Sequence, residues 1–247
     1  MVLNRTRIRI RAFNRSASGV GWGCTSGESM LTPFQTRARR ALAETPFFRD
    51  LPDECMRWVQ RTSVRKGEIL FEKSTPSGDL FGLVGGQVKL FSEGSDGRQI
   101  SFGLVAPGEL IGEIGIATGA PHHATATTLA HSEFATIKRR DLDMLLDRHA
   151  KLRIALSEAS AQAALRLSER IEDAAFLSVE ARVEKALVDC ARRFGERIEG
   201  GLCVPLRQQD LADIVGLSRE SVSKVLTSRA MRGKVELGRG RIVLLGA

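Results

Sequence analysis

Cysteine is scarce in this sequence and is never grouped. Cys24, Cys55, Cys190 and Cys203 stand 31, 135 and 13 positions apart in a chain of 247 residues. Without a C-x-x-C pair or a Cys/His cluster, neither a disulfide framework nor a zinc or iron–sulfur cassette is indicated. Apolar runs are also short, and none approaches the roughly 18 to 20 residues that a membrane-crossing helix needs. The N-terminus alternates arginine with apolar residues and lacks the apolar block of roughly 7 to 15 residues found in a secretory leader. These absences predict a reduced, cytoplasmic protein with no membrane partner. Acidic residues are nearly missing from residues 1–40, where eight arginines face only Glu28. That segment reads as a basic tail, disordered by composition.

What is present is an ordinary folded composition, 43% hydrophobic and 27% charged, in a length suited to one large or two modest domains. The formal charge of +8 is unevenly spread. Residues 205–247 carry eight bases against Asp210, Asp213, Glu220 and Glu236, while residues 41–204 are slightly acidic. A basic C-terminal module predicts a polyanionic partner, because clustered Lys and Arg release counterions from phosphates.

Three patterns follow one another along the chain. From about Arg61 to Ile137, short apolar alternations such as Val88–Phe91, Ile100–Leu104 and Phe134–Ile137 are separated by glycines, and 12 of the 24 glycines lie between Gly67 and Gly119. Short strands joined by glycine turns predict an antiparallel roll or barrel. Ahead of it, Leu51–Glu54 reads as a helix start with Pro52 in the first turn. From Asp141 to Arg193 there is neither Pro nor Gly, and Leu152, Leu156, Ala159, Ala163, Leu167, Ile171 and Ala174 recur at helical spacing. The stripe fits a self-pairing seam on a long helix; the alternative is packing onto the chain's own roll. Val179, Val183, Leu187, Cys190 and Phe194 form a second stripe ending at Gly195, which makes Cys190 a buried apolar residue rather than a redox sensor.

The third pattern, Leu206–Leu226, reads as a helix-turn-helix. Leu211, Val215, Leu217, Val222 and Val225 have the spacing of contacts between two short helices, Ala212 is small where they touch, and Gly216 permits a left-handed turn. Ser218 is then the cap of the second helix. With Val222, Val225 and Leu226 inward, Arg219, Glu220, Ser223 and Lys224 face out. Arg and Lys can donate to guanine, and Glu can accept from cytosine. The competing reading is a solvated face with Glu220 and Lys224 as an i,i+4 pair. Lys234–Leu244 resembles two strands about a Gly-Arg-Gly turn, a wing presenting Arg239 and Arg241 to phosphates. Together with Gln209, Ser218, Arg219, Glu220, Ser223 and Lys224, these arginines are the candidate DNA contacts.

The order of these parts, with Gly108-Glu-Leu-Ile-Gly-Glu113, Phe176-Leu-Ser-Val-Glu-Ala-Arg-Val183 and Val215-Gly-Leu-Ser-Arg-Glu-Ser-Val-Ser-Lys-Val225, resembles the Crp/Fnr family of bacterial transcription regulators. The resemblance implies an α+β fold: an antiparallel β-roll (double-stranded β-helix) over 41–147, a dimerisation helix over 148–177 and a winged helix-turn-helix over 178–247. It further implies a homodimer joined through Leu152, Leu156, Ala159, Ala163, Leu167 and Ile171, reading double-stranded DNA at a palindromic operator, with RNA polymerase a candidate partner and no enzymatic activity. Members that bind cyclic AMP carry Gly-Glu and then Arg-Ser. Here Gly112 and Glu113 are followed by His122-His123, and the base-touching Thr-Ser is Leu167-Ser168. An imidazole lacks the donors with which guanidinium holds a phosphodiester, so the effector candidates Gly112, Glu113, His122, His123 and Ser168 argue against cyclic AMP. The resemblance also argues against an iron–sulfur sensor, for want of a cysteine cluster. A cupin-like ligand-binding or enzymatic roll, with the C-terminal module mediating protein contacts, is the alternative. It is disfavoured because adjacent histidines on a strand cannot enter one cavity as metal ligands.

Overall fold

The computed structural model describes residues 31–246 except 96 and 98, so Cys24 and the arginines before Leu31 lie outside the described residues. The chain enters through helix α1 (Pro33–Ala41). The Thr32 hydroxyl accepts the Gln35 N–H while the Gln35 side chain accepts the Thr32 N–H, a reciprocal cap with Pro33 in the first turn. Ala38 is fully buried, and Leu31 and Phe34 pack on the same cluster. The disordered tail expected for residues 1–40 is therefore corrected from Pro33 onward. Composition counted the arginines but not their distant partners: Arg37 pairs with Glu133 and Arg39 with Asp53. Helix α2 (Pro46–Arg49) and a 3-10 turn (Asp53–Trp58) follow. Pro52 precedes that turn rather than standing inside it.

The roll is built from β1 (Gln60–Val64), β2 (Ile69–Phe71), β3 (Leu80–Gly85), β4 (Val88–Glu93), β5 (Gln99–Val105), β6 (Leu110–Ile111), β7 (Thr125–Thr128) and β8 (Ser132–Ile137), with helix α3 (Glu113–Thr118) between β6 and β7. All pairings are antiparallel, in two four-stranded sheets ordered β1-β8-β3-β6 and β2-β7-β4-β5. Alternate residues of each strand point inward. Val64, Leu83, Val88, Ile111, Ala126 and Phe134 fill the space between the sheets.

Helix α4 (Arg139–Arg148) ends at His149, whose extended backbone starts the 27-residue helix α5 (Ala150–Phe176). Helix α6 (Val179–Phe194) is capped by the Ser178 hydroxyl, which accepts the Ala181 N–H. It leads into β9 (Glu196–Ile198), β10 (Gly201–Val204), α7 (Gln208–Val215), α8 (Arg219–Met231), β11 (Val235–Gly238) and β12 (Arg241–Leu245). The last four strands form one sheet, β11-β12-β10-β9. The β9–β10 hairpin carries no apolar alternation, which is why it is not legible in the sequence. Val183, Leu187 and Cys190 of α6 pack with Leu211, Val215, Val222 and Leu226. Burial pushes the Cys190 thiol up to about 11, consistent with an apolar role.

The helical stripe on α5 requires a correction. Leu152 and Leu156 are buried in the protomer's own core with Phe47, Leu142 and Leu145, and Ala163 and Leu167 line a cavity against the roll. These residues face inward, so they are not a free seam. The opposite face leaves Ile154, Leu165 and Phe176 exposed, with the small residues Ala161 and Ser168 among them, and Ile171 is exposed on its flank. Of the large residues in the expected seam, only Ile171 is on the exposed side. A single stripe was visible in the sequence because α5 is apolar on both sides, and the stripe richest in leucine is the one the roll covers.

Leu152→Ala should therefore lower the unfolding free energy of the full chain by about 2–5 kcal/mol in a urea titration. A loss under about 0.5 kcal/mol, typical of surface positions, would place Leu152 outside the core.

Candidate nucleic-acid interface and sensor cavity

The turn between α7 and α8 depends on Gly216, whose φ of +66° is in the left-handed region that a side chain would strain. After it, the Ser218 hydroxyl accepts the Ser221 N–H at 3.2 Å and starts α8. Val222, Val225 and Leu226 anchor α8 from behind. Arg219, Glu220 and Lys224 are exposed and Ser223 is half-buried, at spacings that place all four on one side of the helix. Its own backbone N–H and the Ser218 hydroxyl hold the Glu220 carboxyl below its ordinary range, so it is an ionised acceptor. Arg239 and Arg241 are exposed at the β11–β12 turn, as the wing reading expects.

Gln209 stands apart from this group. Its amide donates to Asp213 at 2.7 Å, and Asp213 also accepts from Lys89 of β4 at 2.9 Å. Helix α7 thus lies against the roll. The Lys89 and Asp213 side chains are only 7% and 10% exposed, making this a buried ion pair between the roll and the C-terminal module. Nothing in the local sequence marks Lys89, which sits mid-strand and has its partner 124 residues away. A bidentate pair from Arg207 to the buried Asp210, with both bonds at 2.8 Å, fixes the entry to α7 and was likewise unread.

In the roll, Gly112 precedes α3 and Glu113 opens it, almost wholly buried. Burial pushes the Glu113 carboxyl up to about 7, against the lowering effect of its own N–H and of Arg166. His122 is buried beside Gly112 and stacks on Phe71, with ring centres 3.7 Å apart and planes 9° from parallel. Burial, then the neighbouring His123, lowers its pKa, so it is a neutral packed ring near neutral pH. His123 diverges to an exposed position near Phe102. Glu113 and His123 share a cavity of about 60 Å³ with Ala163, Leu167, Arg166 and Arg170 of α5. Ser168 is not brought to it: it is exposed on the outer face of α5, one residue beyond the inward-facing Leu167. Among the described residues, no three His, Cys, Asp or Glu side chains are grouped to hold a metal ion. No helix among them is long and apolar enough to cross a membrane.

A roll closed by a long helix and followed by a winged helix-turn-helix is the architecture of a DNA-binding regulator. Family models agree: residues 61–149 match the cyclic nucleotide-binding domain and residues 181–246 the Crp-like helix-turn-helix domain. The CRP-like cAMP-activated global transcriptional regulator of Mycobacterium tuberculosis is 30% identical over 189 residues, covering 76% of this chain and 84% of that protein. The cyclic AMP receptor protein of Thermus thermophilus is 30% identical over 206 residues, covering 80% and 91%. The structure of FixK2 from Bradyrhizobium japonicum superposes with a TM-score of 0.68 at 23% identity, over 75% of this chain and 92% of that one. The chain belongs to the Crp/Fnr family and is a DNA-binding transcription regulator.

The raised Glu113 pKa has a defined consequence for stability. The folded chain holds this proton up to about pH 7, whereas the unfolded chain releases it near its ordinary 4.5. The folded state is thus the better proton binder between those values, and its stability falls as pH rises through that window, by on the order of 3 kcal/mol in total. Glu113→Gln should flatten that decline in denaturation curves measured from pH 4.5 to 7.5. An unchanged slope would assign the pH dependence elsewhere.

Proposed function

We propose that this chain acts as a homodimer in which two copies of α5 pair through the outward face carrying Ile154, Leu165 and Phe176, with Ile171 on its flank, and two copies of α8 read the half-sites of a palindromic operator. The observation that carries the reading is the free polar side of α8, where Arg219, Glu220 and Lys224 are exposed while Val222, Val225 and Leu226 are buried behind them. Arg219 can fork onto guanine O6 and N7, Glu220 can accept from cytosine N4, and Lys224 donates as a point charge without the bidentate geometry of arginine. Arg239 and Arg241 on the wing supply phosphate contacts that hold register. The dimer reading is supported by three large apolar side chains, Ile154, Leu165 and Phe176, left uncovered along one side of α5 with Ile171 exposed on its flank, interspersed with small residues that let a second helix approach.

The roll, on this reading, does not hold cyclic AMP in the Gly112–His123 cradle. His122 is committed to its stack on Phe71, the cavity beside Glu113 is small, and no guanidinium follows Glu113 on the roll to meet a cyclic phosphate. Regulation would act through α5, which touches the roll with one face and its partner with the other.

Binding-site selection from random duplexes, followed by retardation assays, tests the DNA reading. Arg219→Ala and Lys224→Ala should each cost about 1–3 kcal/mol in operator affinity and relax preference at one base pair per half-site. Equal affinity of wild type and both variants for the selected duplex would remove α8 from the interface. Leu165→Glu tests the pairing in analytical ultracentrifugation: it should shift the chain to monomer while leaving its circular dichroism spectrum intact, and an undiminished dimer would move the interface off this face.

A further inference from the structure

Between α5, α6 and strand β5 lies a cleft of about 500 Å³ that adjoins the Glu113–His123 cavity, shares Arg166, Arg170 and Arg193 with it, and is left unexplained by the DNA reading. Six basic and four acidic side chains line it, an excess of two positive charges. Arg193 of α6 is satisfied by the Glu109 carboxylate at 2.6 Å and the Leu104 carbonyl at 2.7 Å. Arg170 of α5 donates to the Ser101 carbonyl at 3.3 Å. It reaches the strand because Gly103 has no side chain, since a Cβ there would stand 3.2 Å from the Arg170 Nη2. Arg166 lies one turn back on the same face. Among the described residues, neither Arg166 nor Arg170 has a carboxylate within ion-pair distance.

We propose that this cleft is a binding site for a phosphorylated small molecule, with Arg166 and Arg170 receiving the phosphoryl group and the apolar wall of Leu104, Ala186, Ile214 and Val215 receiving the rest. Two guanidiniums four residues apart on one helix repel each other and destabilise it unless an anion lies between them. Burial first, and then the neighbouring Arg193 and Arg166, press the Arg170 pKa downward and outweigh the opposing pull of Cys190 and Asp189. Among the described residues, Glu169 and Asp189 line the cleft but stand beyond ion-pair distance of both guanidiniums, and the other nearby acids are engaged elsewhere or protonated. Glu109 is held by Arg193, Asp173 is bound by Lys185 at 2.6 and 2.7 Å, and Glu113 keeps its proton up to about pH 7. Planar guanidinium forks match phosphoryl oxygens pairwise, and a phosphoryl dianion compensates two cations at once. The volume exceeds that of a bare phosphate and falls in the range of small-molecule pockets. The walls come from the roll, the long helix and the DNA-binding module, so a bound ligand would tie all three together.

The full chain without DNA would be titrated calorimetrically with inorganic pyrophosphate and with ADP, chloride holding ionic strength constant. The proposal expects one site per protomer, weakened at least tenfold by Arg166→Gln and by Arg170→Gln, and unchanged in Arg219→Ala, which separates the cleft from the DNA-binding face. Arg166 is exposed, so Arg166→Gln keeps the test decisive if Arg170→Gln disturbs the fold. Tighter binding of ADP assigns the apolar wall to an organic phosphate, and equal binding assigns the site to the phosphoryl group alone. Heats no larger than the chloride control, or binding that survives both glutamine variants, would overturn the proposal.

Discussion

The organisation of this molecule depends on how α5 is covered, by the protomer's own core and roll along one side and by nothing within the protomer along the other. A 27-residue helix with apolar residues all round cannot stand in water beside a small roll. Its first turns solve half of the problem inside the protomer, where Leu152, Ala155 and Leu156 join the cluster formed by α1, α2 and α4. Beyond them the inward face changes character. Ala163 and Leu167 still pack toward the roll, but Arg166 and Arg170 replace the large apolar residues between them and open a polar cleft. The outward side carries Ile154, Leu165 and Phe176 uncovered, interspersed with the exposed Glu158 and Glu172. One helix therefore serves as core, as cavity wall and as an uncovered surface, and displacement of one of its faces is transmitted to the others because a packed helix moves as a unit.

The second organising feature is the docking of the DNA-binding module on the roll. Lys89 is held by Asp213 and Gln99, and its ammonium lies 4.9 Å from the Phe91 ring centre. A charge pair with so little solvent contact adds little net stability over an apolar pair, but removing one partner strands the other in a poorly hydrated site. That asymmetry favours two states, docked with the pair intact or separated with both charges in water, over a continuum of partly open ones. The module's helix-turn-helix is thus fixed against the roll by the side of α7 opposite its role in supporting α8.

Much of this was legible in the residues. The helix-turn-helix could be read because its constraints are local: Gly216, Ser218 and the buried positions all lie within about twenty residues of one another. The roll was legible as a class from glycine spacing, and the wing from the Gly-Arg-Gly turn. Whatever depended on tertiary partners was not. The arginines of α1 resembled a disordered tail because Glu133 and Asp53 are far away in sequence. The leucine stripe of α5 resembled a self-pairing seam because periodicity reports that a face is buried without naming what buries it. The family resemblance places Ser168 at the cavity, yet its neighbour Leu167 takes the inward position and the 100° step between consecutive helical residues turns Ser168 out. Lys89 and Glu109 carry no local signal, since a lone charge on a strand or in a turn is ordinarily solvated.

Glu109 shows how these parts are coupled. Its carboxylate accepts the Ala106 N–H at 2.9 Å, closing the turn that follows β5, and also accepts Arg193 of α6 at 2.6 Å. Arg193 in turn donates to the Leu104 carbonyl on β5, and the next guanidinium along the cleft, Arg170, reaches the Ser101 carbonyl on the same strand. Strand β5 is therefore gripped from the DNA-binding module and from the long helix through two of its backbone carbonyls. Side chains of arginine can exchange a carbonyl for a stronger anionic acceptor without any break in the covalent frame, because an ionised acceptor makes the stronger hydrogen bond. A change of acceptor at this cleft would alter how firmly β5 holds α5 and α6 while leaving both hydrophobic cores untouched. On the proposed reading, the roll would influence the DNA-binding module through these polar contacts, whose strength is adjustable, and not through the packed clusters, whose disruption would unfold it.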